Sequence, residues 1–325
     1  MSKKKALITG VFGQDGIFLS RLLLSKDYEV VGTYTRNSAN KTRNQQFLPK
    51  GIRLIEVNYH NPQEIEGILE NEKPDEMYNF NALSSVQSSF VDPNLTKVLN
   101  ELNPISTFNF IKKKIPELRI YQAGSSEMFG LPKSSPQNEL TEFDPQSPYA
   151  VSKVNTFNHV VQLRNLGLYA VNGIMYNHES EFRSETFVSR KISQNIARIL
   201  LKKQDRFSLG DLSVVRDWGY AEDYVYAMWL MLQHSIPQDY VIATGKSRSL
   251  RDYVDEALAF AGLSGNADEW VISDPTLYRT NEITNLTGDF TRANIDLGWK
   301  PTTPFKTWVG KMLENDYKIE SKNDF

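Results

Sequence analysis

A short apolar run at residues 6–9 feeds directly into Thr9-Gly10-Val11-Phe12-Gly13-Gln14-Asp15-Gly16, and an amphipathic stretch follows at 17–24. Few architectures place three glycines at this spacing between a strand and a helix. Such glycines allow a tight turn, close backbone approach to a pyrophosphate, and close packing of the helix. The helix that opens there presents unbonded N–H groups to phosphate. The spacing is Gly-x-x-Gly-x-x-Gly, not the commoner Gly-x-Gly-x-x-Gly, and three glycines also occur in ordinary loops. The flanking strand and helix favour the dinucleotide turn of a doubly wound α/β fold. Gly10, Phe12, Gly13, Gln14, Asp15 and Gly16 are its candidate cofactor contacts.

The rest of the first half repeats this alternation. Strand candidates lie at 30–34, 53–57, 76–79, 119–122 and 170–174, and helical stretches at 62–69, 95–112 and 149–165. The pattern predicts a Rossmann-type doubly wound parallel sheet over residues 1–175, covered by helices on both faces. Past 175 the alternation loosens. Helices are expected at 187–202 and 220–232 and a strand at 240–243, and Ser249-x-x-Asp252 reads as a capping box opening a helix up to Leu263. Residues 176–325 are expected to form a smaller C-terminal α/β substrate lobe, some of whose segments return to the main sheet. Trp218 is expected in the core.

A net charge of −2 over 325 residues gives no reason to expect nucleic acid or an anionic membrane as a partner. The absence of cysteine removes disulfides, thiolate metal sites and a cysteine nucleophile, and no metal site is expected. Lys3-Lys4-Lys5 precedes an apolar run too short for a signal peptide, and no run approaches the roughly 18 apolar residues of a membrane span. The expected localisation is cytoplasmic.

An acid at the end of the second strand normally holds the ribose of NAD. Here the strand ends Thr33-Tyr34-Thr35-Arg36-Asn37-Ser38, with no acid. Arg36 suits a 2′-phosphate, with Ser38, Lys41 and Arg43 in support, although such clusters are most often solvated loops. The expected cofactor is NADP.

The run Ser147-Pro148-Tyr149-Ala150-Val151-Ser152-Lys153 starts a helix with Tyr149 and Lys153 one turn apart on one face. An ammonium beside a phenol favours the ionised form, which predicts a Tyr149 pKa lowered toward neutrality. At the end of the fifth strand, Ser125-Ser126-Glu127 places a hydroxyl and a carboxylate where open α/β sheets bind ligands. Ser125, Glu127, Tyr149 and Lys153 then supply a donor, a second base, a first base and an orienting cation. Read alone, Glu127 is equally well a loop carboxylate in a local salt bridge.

These residues, with Asn177-His178-Glu179-Ser180, Glu185-Thr186-Phe187-Val188-Ser189-Arg190-Lys191 and Arg216-Asp217-Trp218-Gly219-x-Ala221-x-Asp223-Tyr224, carry a resemblance. From about residue 5 to about residue 310 the chain resembles the GDP-mannose 4,6-dehydratases of the extended short-chain dehydrogenase/reductase superfamily. The resemblance implies an internal redox cycle on GDP-mannose. Tyr149 takes the 4-hydroxyl proton as hydride passes from C4 to tightly held NADP+. Glu127 takes the C5 proton and helps the C6 hydroxyl leave as water, and the hydride returns to C6. It further implies cofactor contacts at Asn58, Ala82, Ser84, His178 and Arg183, and nucleotide-sugar contacts at Ser85, Asn177, Glu179, Val188, Lys191, Gly210, Arg216, Arg279 and Glu282. Arg190 and Lys191 read equally well as solvent-facing helix charges. The 36–43 stretch reaches a neighbouring subunit in this family, which implies a homodimer or homotetramer. Three departures stand out: Ser125 where the family usually has threonine, Asn58 in place of an aspartate, and Phe80-Asn81-Ala82-Leu83-Ser84-Ser85 in place of a glycine/glutamine pattern.

Three alternatives fit parts of the pattern. A GDP-4-keto-6-deoxymannose reductase uses the same fold and Tyr/Lys pair, and a nucleotide-sugar epimerase is a further enzymatic option. A catalytically silent nucleotide-binding regulator is the non-enzymatic one. The Asn177–Ser180 and Glu185–Lys191 segments favour the dehydratase, and intact Tyr149, Lys153 and Glu127 argue against silence.

Overall fold

Alternate residues of the early strands are buried on opposite faces of one sheet, which is why those strands read as continuous apolar runs. The computed structural model describes residues 3–278, 283 and 285–322. Its first six strands are β1 (Lys5–Thr9), β2 (Glu29–Tyr34), β3 (Arg53–Glu56), β4 (Glu76–Asn79), β5 (Arg119–Ala123) and β6 (Ala170–Met175). They are followed by β7 (Asn177–Glu179), β8 (Phe207–Leu209), β9 (Val215–Tyr220) and β10 (Tyr240–Ile242). Last come β11 (Ser247–Ser249), β12 (Val271–Ser273) and β13 (Asn285–Leu286).

The main sheet is seven-stranded and parallel, in the order β10-β6-β5-β4-β1-β2-β3. The order reverses between β1 and β4, and such a switch point opens a crevice at the strands' carboxyl ends. Within β1, Ala6 and Ile8 face one core and Leu7 the other; Val30 and Val31 of β2 divide likewise, as do Tyr78 and Met77 of β4. Helices Gln14–Ser25 and Ala221–Gln233 cover the first face. Helices Pro62–Glu72, Asn103–Lys114 and Pro148–Asn165 cover the second.

The C-terminal half returns to this sheet through β10, which pairs with β6 from Tyr240↔Gly173 to Ile242↔Met175. It also builds a smaller sheet in which β9 is flanked by antiparallel β11 and by parallel β7 and β13. The expected capping box forms, Ser249 and Asp252 bonding each other's backbone N–H. That helix stops at Phe260, short of Leu263, because Gly262 turns left-handed (φ 70°) and Leu263 N–H returns to Leu258 O.

The stretch 95–112 is not the single helix expected. It divides into Pro93–Lys97, a π-helical turn at Val98–Leu102, and Asn103–Lys114. Pro104 has no N–H to give the Asn100 carbonyl four residues back. Asn103 N–H instead reaches Val98 O, five residues back, and the Asn100 carbonyl takes Thr156 Oγ1 at 2.8 Å.

Candidate active site

Only glycine fits two of the three loop positions. Gly10 is left-handed (φ 71°), and a Cβ there would meet the Asn81 nitrogen at 3.3 Å; a Cβ on Gly16 would lie 2.4 Å from Val11 O. Gly13 is the N-cap of helix Gln14–Ser25 and contributes no side-chain cap, so the helix end faces outward. The loop forms one wall of a groove of about 950 Å³, with Arg36, Ser38, Arg43, Asn58, Ala82, Ser84 and Arg183 on its other walls.

Gln14 and Asp15 line the groove and also tie the loop to β7. Gln14 Nε2 donates to His178 O at 2.7 Å, and Gln14 Oε1 accepts from Ser180 Oγ at 2.9 Å. The His178 ring lies between the Tyr176 carbonyl, 2.7 Å from Nδ1, and the Asp15 carboxylate, 3.1 Å from Nε2. Burial alone lowers His178, but the Asp15 charge and hydrogen bond outweigh it and leave the imidazole raised. Both ring nitrogens meet acceptors, which favours the doubly protonated ring.

A polar ladder crosses the carboxyl ends of the central strands. Thr9 Oγ1 donates to Asn79 Oδ1 (2.7 Å), Asn79 Nδ2 to Gln122 Oε1 (2.7 Å), and Gln122 Nε2 to Ala123 O (2.9 Å). Lys153 Nζ ends it, donating to the same Ala123 carbonyl at 2.9 Å. Ser147 caps the helix carrying Lys153, accepting from Ala150 N at 3.1 Å with Pro148 in the first turn, and this fixes where Tyr149 emerges.

A second cavity, about 200 Å³, adjoins the groove. Its walls bring together Ser125, Glu127, Tyr149, Lys153, Ser85, Asn177, His178, Glu179, Arg183 and Val188. Ser125 Oγ accepts from Glu127 N at 3.2 Å and is hydrogen-bonded to the Tyr149 phenol. The phenol also feels the Glu127 carboxylate, which pushes it up, and Arg183, which pulls it down. Arg183 lines both cavities; its Nε lies 3.2 Å from Glu179 Oε2 and its guanidinium 3.7 Å from the Phe187 ring centroid.

The Tyr149 pKa is not lowered as the Tyr/Lys spacing predicts. Burial pushes the phenol up to about 12, and the Lys153 ammonium, occupied by the Ala123 carbonyl, sits 5.7 Å from the ring centroid. Burial also pulls Lys153 down to about 8. Arg36 lines the groove and is exposed, and its Nε pairs with Glu56 Oε1 at 2.8 Å. Arg43 is the more enclosed cation. Burial first, and then the charges of Arg190 and Arg183, hold it below the usual arginine range, so an anion in the groove is favoured.

Lys191, Gly210 and Arg216 line neither cavity among the described residues. Lys191 is exposed, Gly210 packs against the Leu277 carbonyl, and Arg216 is buried, donating to Val215 O and Ile283 O. Arg279 and Glu282 lie outside the described residues. Trp218 is core, edge-on to Tyr253. Sequence reasoning missed Tyr59, whose hydroxyl takes Gly10 N–H at 2.8 Å, and Asn44, whose amide bridges Phe12 O and Phe182 O at 3.0 Å each. Neither sits in a recognisable motif.

Residues 7–312 match the protein family described as GDP-mannose 4,6 dehydratase. The chain is 39% identical over 335 residues to GDP-mannose 4,6 dehydratase 1 of Arabidopsis thaliana, covering 98% of this chain and 91% of that relative. Two solved structures share the fold at low identity. RMD from Pseudomonas aeruginosa, complexed with NADPH, aligns with a TM-score of 0.80 at 21% identity over 97% of this chain and 100% of that one. dTDP-glucose 4,6-dehydratase from Bacillus anthracis, in complex with NAD, gives 0.83 at 17% identity over 98% of each chain. On the family match across nearly its whole length and the full-length relative at 39% identity, the chain belongs to the GDP-mannose 4,6-dehydratase family.

Proposed function

We infer that the protein is a hydro-lyase that converts GDP-mannose to GDP-4-keto-6-deoxymannose with NADP as its resident carrier. The observation that carries this reading is the convergence of Tyr149, Ser125 and Glu127 on one cavity beside the glycine-lined groove. The groove suits a dinucleotide: a loop that requires glycine at positions 10 and 16, an uncapped helix end, and enclosed cations on the walls. NADP is preferred to NAD because no carboxylate ends β2, and because Ser38 and Arg43 join Arg36 on the walls. When bound, NADP supplies the hydride acceptor and donor for the sugar.

In this reading Tyr149 takes the 4-hydroxyl proton. Burial favours the protonated phenol, so before acting as a base Tyr149 must first release its own proton to solvent, a loss that the nearby positive charge of Arg183 promotes. Ser125 holds the C4 oxygen through the hydroxyl it already shares with Tyr149. Glu127 removes the C5 proton, acidified by the neighbouring ketone, and returns a proton to the departing C6 hydroxyl. Asn177, Glu179 and Val188 form the facing wall.

Incubation of the protein, as isolated, with GDP-mannose and no added cofactor is expected to give a product lighter by one water, with no net nicotinamide turnover. The nucleotide released on denaturation is expected to be NADP. Untouched GDP-mannose alongside NADPH oxidation on the keto-sugar would instead identify a reductase.

We also propose a homodimer or homotetramer. Phe90, Val91, Leu102 and Val151 are exposed on neighbouring helical segments of one flank, and sedimentation velocity tests the assembly. Among the described residues no helix is long and apolar enough to cross a membrane, and a cytoplasmic location remains part of the proposal.

A further inference from the structure

Arg190 reads from the sequence as a solvated helix charge, yet it is 1% exposed. Its partner is Asp316, at 0% exposure on the C-terminal helix Phe305–Lys322. The pairing is bidentate: Nε to Oδ2 at 2.9 Å and Nη2 to Oδ1 at 2.6 Å. Asp316 also accepts from Ser193 Oγ. The remaining nitrogen, Nη1, donates to the carbonyls of Glu181 at 2.9 Å and Arg183 at 2.7 Å. Between those carbonyls, Phe182 is held by residues of the first half. Its ring centroid lies 5.1 Å from Phe18 and 5.0 Å from Phe47, and its carbonyl takes Asn44 Nδ2.

The turn gripped in this way carries Arg183, whose side chain stands where the groove meets the sugar cavity. We propose that Arg190 and Asp316 are positioning residues that hold the 181–183 turn, and through it the Arg183 guanidinium, in register with the bound cofactor. A buried ion pair is a weak source of stability, because desolvation cancels most of its attraction and apolar residues often fill the space as well. Apolar residues cannot supply the two hydrogen bonds that fix the Glu181 and Arg183 carbonyls. An Arg–carboxylate fork supplies them while satisfying its own charge. The C-terminal helix thereby acts on a site to which it contributes no lining residue among those described. The inference rests on Arg183 contacting the cofactor, as in the proposed function.

A double-mutant cycle on the holoenzyme separates positioning from mere structure. The rate at which bound NADP exchanges against excess labelled cofactor is measured for the parent, Arg183→Ala, Arg190→Met/Asp316→Leu, and the combined variant. Arg183→Ala and Arg190→Met/Asp316→Leu are each expected to speed release roughly tenfold, the latter with a melting temperature near the parent's, and the combination no further than Arg183→Ala alone. Equal acceleration in the Arg183→Ala background, or none in the parent background, overturns the proposal. Unchanged release from Arg183→Ala itself refutes the cofactor contact and the proposal with it. Should the apolar pair not fold, Arg190→Lys serves in the same cycle. It keeps the buried charges balanced but cannot reach Asp316 and both carbonyls together.

Discussion

Tyr149 and Lys153 lie one helical turn apart, but burial moves their pKa values in opposite directions, the phenol up to about 12 and the ammonium down to about 8. For a lysine depressed on folding, the unfolded chain holds more protons between pH about 8 and 10.5, so stability rises with pH across that window. Below it the desolvation cost is fully present. Lys153→Met removes a penalty of about 3 kcal/mol and forfeits about 1 kcal/mol with the Ala123 hydrogen bond. The variant is expected to melt above the parent at pH 7, and the gap is expected to close as the pH approaches 10. A gap that widens with pH would show that Lys153 is not held down by burial. Glu127→Gln tests the other end of the cavity. It is expected to lower the dehydration rate by about 10²–10⁴-fold while NADP stays bound, read by mass spectrometry of product and retained nucleotide. The residue types at 125, 127, 149 and 153 were legible because their chemistry shows in the letters. Their protonation was not, because it depends on burial and on where Lys153 Nζ turns.

Helix and strand positions were legible wherever the apolar period and the caps agreed, as at Ser147-Pro148 and Ser249-x-x-Asp252. They failed at 95–112, where the period continues but one hydrogen bond cannot form. Pro104 marked the break, yet nothing near it in sequence revealed that Thr156, from the helix that carries Tyr149, accommodates it. Thr156 Oγ1 is shared between Asn100 O (2.8 Å) and Ser152 O (3.0 Å). The Asn100 side chain in turn accepts from Leu83 N (2.8 Å) and donates to Leu83 O (3.0 Å), fixing a residue that lines the groove beside the glycine loop. Thr156→Val strands the Asn100 carbonyl and is expected to cost about 1–3 kcal/mol, while Thr156→Ser costs little. Pro104→Ala returns an N–H to that carbonyl and is expected to recover part of the loss in the Thr156→Val background. Urea midpoints measure all three. Equal midpoints for Thr156→Val and Thr156→Ser would leave the hydroxyl without this role.

At the scale of the whole molecule, a division near residue 175 is a functional proposal rather than a break in packing. Strand β10 closes the main sheet beside β6, helix Ala221–Gln233 packs beside Gln14–Ser25, and Gln14 and Asp15 bond directly to His178 and Ser180. One continuous core runs from Ala6 to Leu313. Removing residues after 175 would bare the edge of β6 and one face of the first helix, so that fragment is not expected to fold alone. The tryptophans provide a test, since all five, at 218, 229, 270, 299 and 308, lie in the C-terminal half. Four of them report that half, while Trp229 also senses Tyr28 and Lys26 of the first half. A variant with Trp229→Phe therefore reports the C-terminal half, whereas far-ultraviolet circular dichroism reports the helices of both. If the halves share a core, the two signals trace a single transition with one midpoint in urea. Cofactor bound across the 14–178 junction shifts both curves upward together, by mass action on the folded state. Fluorescence that falls well before the helical signal, or a cofactor shift confined to circular dichroism, would mean that the second half melts independently. The contacts tying β7 and β10 to the first half would then be too weak to set the geometry of the shared cavity.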